Sequence, residues 1–245
     1  MIMENEFISD LQRDGLVIIQ KKTGFRFGTD AVLLSDFGKD IRSKRTLDLC
    51  TGSGIVPILL YAKTSAPYIC GVEIQPDIAD MAKRSVELNK IGDRVEIICE
   101  DLKKLSLPKH SFDLVTVNPP YMKSGNAITN SFDTKTVSRH EVMCNLDDVI
   151  KAGSEMLRDK GHFVMVHRPS RLADAICTMR KYGIEPKRLR MVHSTADKEP
   201  SLFLIDGAFH GGEELKILPP LIMTAEDGGE SRELKEIYER QYRSE

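Results

Sequence analysis

An alternating α/β fold, with a mostly parallel sheet that ends in an antiparallel hairpin, is what the sequence predicts. Three observations predict it. Short apolar runs suited to buried strands recur at 46–49, 69–74, 95–99, 113–117 and 161–167. Between them lie stretches with helical apolar spacing, at 55–61, 76–89 and 146–158. Two last extended runs, 187–194 and 201–208, follow one another with no helical pattern between them. Strands that alternate with helices pack as a parallel sheet, and the final pair reads as its hairpin.

Composition narrows the function classes. The chain has 245 residues, 29% of them charged and 41% hydrophobic, as in a globular protein with a sizeable core. A net charge of −2 gives no global attraction to nucleic acid, so RNA binding would need a local patch. The five cysteines, Cys50, Cys70, Cys99, Cys144 and Cys177, are odd in number, widely spaced and without a Cys-x-x-Cys pair. They read as reduced core residues, neither disulfides nor zinc ligands, and the six histidines show no metal-ligand spacing. No metal is expected. Acidic residues in the first ten positions and the lack of a long apolar run speak against a signal or membrane span, and a cytoplasmic location is expected.

The elements follow in order. A strand over 16–20 and a turn over 21–24 precede Phe25-Arg26-Phe27-Gly28. A helix over 31–37 comes next, with Thr29 or Asp30 as its N-cap, because those side-chain oxygens can accept from the orphan N–H groups of a first turn. Packing accounts for Leu33, Leu34 and Phe37, but not for two aromatics flanking an arginine before a glycine. The run Asp48-Leu49-Cys50-Thr51-Gly52-Ser53-Gly54 is a strand end passing into a glycine-bearing turn. A buried helix follows, which tolerates Pro57 in its first turn. Gly52 and Gly54 let backbone approach a ligand, and the helix start offers N–H groups. The strand 69–74 carries Glu73, twenty-one residues after Gly52. Nucleotide-binding α/β folds place a ribose-binding carboxylate at about that distance.

Ile78, Met81, Ala82 and Val86 share one face of the helix over 76–89. The strand 95–99 ends in Glu100-Asp101, and the strand 113–117 runs into Asn118-Pro119-Pro120-Tyr121. Pro119 ends the ladder and holds Asn118 extended, so Asn118 and Tyr121 are presented from a stiff turn where such sheets bind ligands. The polar stretch 122–144 is too long for an ordinary connection and reads as a lid or a disordered loop. Beyond the strand 161–167, a helix near 170–182 and the final hairpin, Leu234, Ile237, Tyr238 and Tyr242 mark an amphipathic C-terminal helix.

A glycine turn with a downstream acid suits a dinucleotide or an adenosyl ligand. The dinucleotide fingerprint wants a third glycine where Pro57 stands, and no P-loop pattern exists. A single adenosyl ligand without a pyrophosphate remains. S-adenosylmethionine fits, with Glu73 on the ribose hydroxyls, Asp101 on the adenine amino group and the 48–54 turn beside the methionine part.

The runs 48–54, Val72-Glu73, Glu100-Asp101 and Asn118-Pro119-Pro120-Tyr121 resemble the class I adenosylmethionine-dependent methyltransferases that methylate amino groups. With Gly24-Phe25-Arg26-Phe27-Gly28-Thr29-Asp30 and the helix after it, the chain resembles the bacterial valine-tRNA (adenine-N6)-methyltransferase family, whose target adenine lies beside the anticodon. The resemblance covers about residues 10–220 and implies a Rossmann-like seven-stranded sheet with one antiparallel strand. Residues 1–45 would lead into the fold, 46–222 form the methyltransferase domain and 223–245 the C-terminal helix, all as one structural unit. Cys50 departs from the usual glycine and implies a negative φ at that position.

The candidate catalytic residues are Asn118, Pro119 and Tyr121. The candidate cofactor set is Thr29, Asp30, Asp48, Cys50, Thr51, Gly52, Gly54, Glu73, Ile74, Asp101, Leu102 and Asn118. Phe27, Tyr121, Lys123 and Arg139 are candidate substrate contacts. An amine on an aromatic ring or carbonyl is a poor nucleophile because its lone pair is delocalised. The Asn118 oxygen and the Pro119 carbonyl can accept its two N–H bonds and draw that lone pair toward the methyl group, while Tyr121 stacks on the planar group. Phosphates of the RNA, expected to be a tRNA, would be met by Lys123, Lys135 and Arg139. A second basic run holds Arg168, Arg171, Arg180, Lys181, Lys187, Arg188 and Arg190 against only Asp174 and Glu185. The same four-residue turn would serve a protein glutamine methyltransferase or a guanine-amino methyltransferase of ribosomal RNA. A non-catalytic ligand-binding protein on this fold is the remaining reading, and the intact Asn118 and Tyr121 speak against it.

Overall fold

The computed structural model describes residues 2–23, 28–120 and 144–238. Phe27, Tyr121, Lys123, Lys135, Arg139, Tyr242 and nearly all of the 122–144 stretch lie outside them. The strands are β1 (Glu6–Asp10), β2 (Val17–Lys21), β3 (Arg45–Leu49), β4 (Tyr68–Glu73), β5 (Val95–Cys99), β6 (Phe112–Val117), β7 (Leu157–His167), β8 (Ile184–His193), β9 (Pro200–Phe209), β10 (Lys216–Ile217) and β11 (Leu221–Ile222). The helices are α1 (Thr29–Gly38), α2 (Ile55–Lys63), α3 (Pro76–Leu88), α4 (Leu146–Met156), α5 (Leu172–Lys181) and α6 (Arg232–Ile237).

One nine-stranded sheet runs β10-β8-β9-β7-β6-β3-β4-β5, with β11 also paired to β8. Apart from the two-residue strands, seven strands remain, and β9 alone runs antiparallel to its neighbours β7 and β8. That is the sheet the resemblance implies. The central strands β3, β4 and β6 are buried on both faces, which is why they read as short apolar runs without alternation, whereas β8 toward the edge keeps charged and half-buried positions. On β6, Leu114 joins the cluster under α1, α2 and α3, while Phe112, Val115 and Val117 join the cluster under α4 and α5. Val164 and Val166 of β7 split from Phe163 and Met165 in the same way.

Two glycines set how closely these layers approach. A Cβ on Gly153 of α4 would lie 2.5 Å from the Phe163 ring, so the helix packs on β7 only without one. A Cβ on Gly71 of β4 would meet Thr51 Oγ1 at 2.8 Å and Pro57 Cγ at 3.1 Å. The close helix–strand packing that a dinucleotide site obtains from its third glycine is obtained here from the facing strand.

The N-terminal β1–β2 hairpin, of which the sequence shows only β2, is a separate two-stranded sheet seated on α3. Asn89 accepts from Val17 N at 2.9 Å and donates to Val17 O at 2.7 Å, and Ser85 Oγ accepts from Ile19 N at 3.0 Å. Buried Glu6 takes both arms of Arg84 at 2.7 Å.

Several expectations need correction. The residue before α1 is Gly28, and neither Thr29 nor Asp30 caps the helix, since both lie inside its first turn. α4 stops at Met156, and the chain enters β7 at Leu157, already paired with Phe112, instead of at residue 161. Of the cysteines only Cys70 is buried, whereas Cys99 and Cys177 are exposed. No helix among the described residues is long and apolar enough to cross a membrane.

Candidate active site

The order of strands reverses between β3 and β6. β3 pairs with β4 on one side and with β6 on the other, in parallel. A crevice outside the carboxyl ends at such a point is where open α/β sheets take ligands. Leu49 and Val117 are register partners, so the turn after β3 and the turn after β6 begin side by side. A small cavity lies there, lined by Ala31 of α1, by Asp48 and residues 50–53, by Ile55 and Val56 of α2, and by half-buried Asn118. Pro119 is buried beside it. Among the described residues, no Lys, Arg or His lines the cavity.

The turn after β3 alternates its handedness. Cys50, Gly52 and Gly54 have φ of 58°, 57° and 85°. The negative φ expected for Cys50 is wrong. The turn requires the left-handed conformation there, and a non-glycine residue adopts it at a cost of about 1–2 kcal/mol. Backbone bonds hold the turn in place: Thr51 N donates to Val72 O at 2.9 Å and Gly54 N to Thr51 O at 3.0 Å. Glu73 is no solvated strand end. Its Oε2 accepts from Gly52 N at 2.9 Å and its Oε1 from Gln75 N at 3.0 Å, so the carboxylate joins the glycine turn to the end of β4. Oε1 also accepts from Gln75 Nε2 at 3.2 Å, so the second lone pair of Oε2 is the one available to a hydroxyl.

Asp48 is 1% exposed, and its Oδ1 accepts from the Thr116 hydroxyl at 2.6 Å. Its Oδ2 and the Thr51 hydroxyl are buried without a hydrogen-bond partner among the described residues. Burial pushes the Asp48 carboxyl up to about 7, against the pull of the Thr116 and Thr51 hydroxyls and with some help from the charge of Glu73. An unpaired buried carboxylate oxygen in a cavity without cationic side chains fits a ligand that brings its own ammonium group, as the methionine part of S-adenosylmethionine does.

The remaining candidates divide. Asp101 Oδ1 accepts from Lys103 N at 2.9 Å, so the side chain caps the short 3-10 turn 102–104. Leu102 is buried in the core under α4, and Ile74 is half-buried just past β4. Thr29 and Asp30 open α1 immediately before Ala31, with Thr29 Oγ1 accepting from the Tyr238 hydroxyl at 3.3 Å. Cys144, where the described chain resumes, accepts a hydrogen bond from the Cys50 thiol, which raises the Cys50 thiol and lowers that of Cys144. The segment that leaves the site after Pro120 therefore returns to the same turn.

The basic run of 168–190 is not a free cationic face. Arg171 pairs with Asp174, Arg180 with Glu185, Lys181 with Asp147, Arg188 with Asp206 and Arg190 with Glu233. Three of those acids lie outside the run, where a count along the sequence does not see them.

Sequence reading also missed Ala31, Ile55 and Val56 in the lining, and Thr116 behind Asp48. Thr116 left one sign, a polar residue within the apolar strand Leu114-Val115-Thr116-Val117, since buried hydroxyls are hydrogen-bonded. Its partner depends on the β3–β6 register, in which Asp48 stands opposite Thr116.

Comparison with known proteins follows the same lines. A family model described as a methyltransferase domain matches residues 46–161. A tRNA1(Val) (adenine(37)-N6)-methyltransferase of Porphyromonas gingivalis is 30% identical over 195 residues, 76% of each chain. The protein of that name from Bacteroides fragilis is 28% identical over 191 residues, 77% of this chain and 79% of its own. Among solved structures, a predicted O-methyltransferase from Agrobacterium tumefaciens superposes with a TM-score of 0.70 at 20% identity, covering 86% of this chain and 95% of that one.

Proposed function

This chain belongs to the tRNA1(Val) (adenine(37)-N6)-methyltransferase family, and on that premise we propose that it methylates the exocyclic N6 of an adenine in tRNA, beside the anticodon of a valine tRNA. When bound, S-adenosylmethionine supplies a methyl group on a sulfonium leaving group. The observation that carries the reading is Asn118 at the wall of the cavity that also holds the unpaired Asp48 oxygen, at the point where the strand order reverses. Asp48, the 50–54 turn and Glu73 hold the cofactor on the β3–β4 side. Asn118 and the Pro119 carbonyl take the two N–H bonds of the target amine on the β6 side. Fixed acceptors of this kind lower the barrier by a few kcal/mol, about a hundredfold in rate. In-line placement is the rest of the task, and no dedicated general base is needed. Tyr121 would stack on the base, and Phe27, Lys123 and Arg139 would meet the RNA.

Labelled S-adenosylmethionine incubated with bulk tRNA, ribosomal RNA and protein should mark the tRNA fraction, in N6-methyladenine. Asn118→Ala should lower turnover by about a hundredfold while cofactor binding by calorimetry changes little, because the acceptor acts mainly as the amine gains charge. Label in protein glutamine or in guanine would replace this substrate with one of the two competing amines. An active Asn118→Ala would make the Asn-Pro-Pro-Tyr stretch a structural turn only.

A further inference from the structure

Thr116 lies two residues before Asn118 on the strand that carries the proposed reactive turn, yet it faces the cofactor side of the sheet. It is fully buried, and its hydroxyl reaches across the β3–β6 ladder to its register partner Asp48 at 2.6 Å. One carboxylate oxygen is thereby occupied. Among the described residues the other accepts no hydrogen bond, and Asp48 lines the cavity.

We propose that Thr116 is a positioning residue for cofactor capture: its hydroxyl holds Asp48 so that Oδ2 receives the ammonium group of S-adenosylmethionine, and capture leaves Asp48 ionised, any proton on its carboxyl passing into solvent.

The balance is simple. A neutral carboxyl meets a cationic ammonium, its O–H bond breaks, the proton leaves to buffer and the ion pair stays. Every element around Asp48 favours this course. α1 contributes Ala31 and α2 contributes Ile55 and Val56, all uncharged. The turn adds Cys50 and Thr51, β6 adds Thr116 and Asn118, and β4 adds the acid Glu73. Among the described residues no cation faces Asp48 to keep it ionised, and burial raises its carboxyl to about 7. The incoming ammonium is the missing countercharge. Thr116 lowers what ionisation costs by donating to the oxygen that the ligand does not use. The inference rests on the cofactor and is independent of which amine is methylated.

Calorimetric titration of the full-length protein with S-adenosylmethionine, at pH 7 in buffers of different ionisation enthalpy, counts the protons released. The wild type should release about half a proton at pH 7, and its affinity should rise with pH from 6 toward 7.5 and fall again above about 8, where the ligand's own ammonium loses its proton. Thr116→Val keeps the shape and loses the donor. It should release closer to a whole proton at pH 7, bind about tenfold more weakly there and draw nearer to wild-type affinity by pH 8. Thr116→Ser should behave as the wild type, and Asp48→Asn should release none. A weakened Thr116→Val with an unaltered proton count would reduce Thr116 to packing, and buffer-independent heats in the wild type would overturn the proton coupling. No binding heat at any pH would remove the cofactor reading as well, whereas binding without proton release removes only this one.

Discussion

Cys50 shows what a single residue can conceal from sequence reading. A non-glycine residue in a glycine-rich turn suggests ordinary backbone, but Cys50 takes φ = 58° because hydrogen bonds from the residues after it fix the turn. Its thiol, which donates a hydrogen bond to Cys144 far along the chain, gives a reason for a side chain there. Cys50→Gly relieves the backbone but frees the unfolded chain, so stability in urea should stay within about 1 kcal/mol of the parent. Cys50→Val places a β-branched residue at positive φ and should lose about 2 kcal/mol or more. Equal loss in both variants would show that the thiol contact outweighs the backbone. Asn118, Glu73 and the two turn glycines were legible because strand ends and glycines are local features. Thr116 and Gly71 were not, since each matters only through a neighbour set by sheet register.

Among the elements, α2 to β6 could be placed to within a residue or two because buried parallel strands stand out as short apolar runs bounded by turns, and a helix such as α3 carries its own apolar spacing. β1 could not, since its Phe7 and Ile8 sit among exposed and half-buried positions of a short edge hairpin. That hairpin is joined to α3 by Glu6 and Arg84. The guanidinium of Arg84 holds the Glu6 carboxyl down at about 2, well below its ordinary 4.5. A depressed carboxylate stabilises fully above its unfolded value and loses that contribution as pH falls through the folded one. The wild type should therefore lose stability between about pH 4.5 and 2 more steeply than Glu6→Gln, which begins lower and stays flatter. Matching acid titrations of the two proteins, followed by circular dichroism, would disconnect Glu6 from the docking of the hairpin. β10 and β11 are two residues each, below the length at which a pattern can be read.

For the molecule as a whole, Lys63 does for the helical layer what Glu6 does for the hairpin. Its ammonium, 1% exposed at the end of α2, meets Asp36 of α1 at 3.2 Å and the Ile237 carbonyl of α6 at 3.4 Å. Burial still outweighs Asp36 and brings the lysine down to about 8. Between that value and about 10.5 the unfolded chain holds a proton that the folded one has released, so stability should rise with pH across this window. Lys63→Met should abolish the rise in urea melts, and a rise that persists would assign it to other groups. The seating of the β1–β2 hairpin on α3 also orders events in time. Val17 finds its partner Asn89 only 72 residues later. A ribosome adding about 5–20 residues per second delivers that partner about 4–14 seconds afterwards. A lone two-stranded hairpin is at best marginal in water. The first part of the chain to be synthesised thus stays without its fold until the middle has emerged, and Ile18 and Ile19, buried in the finished protein, are what a chaperone would meet in the interval.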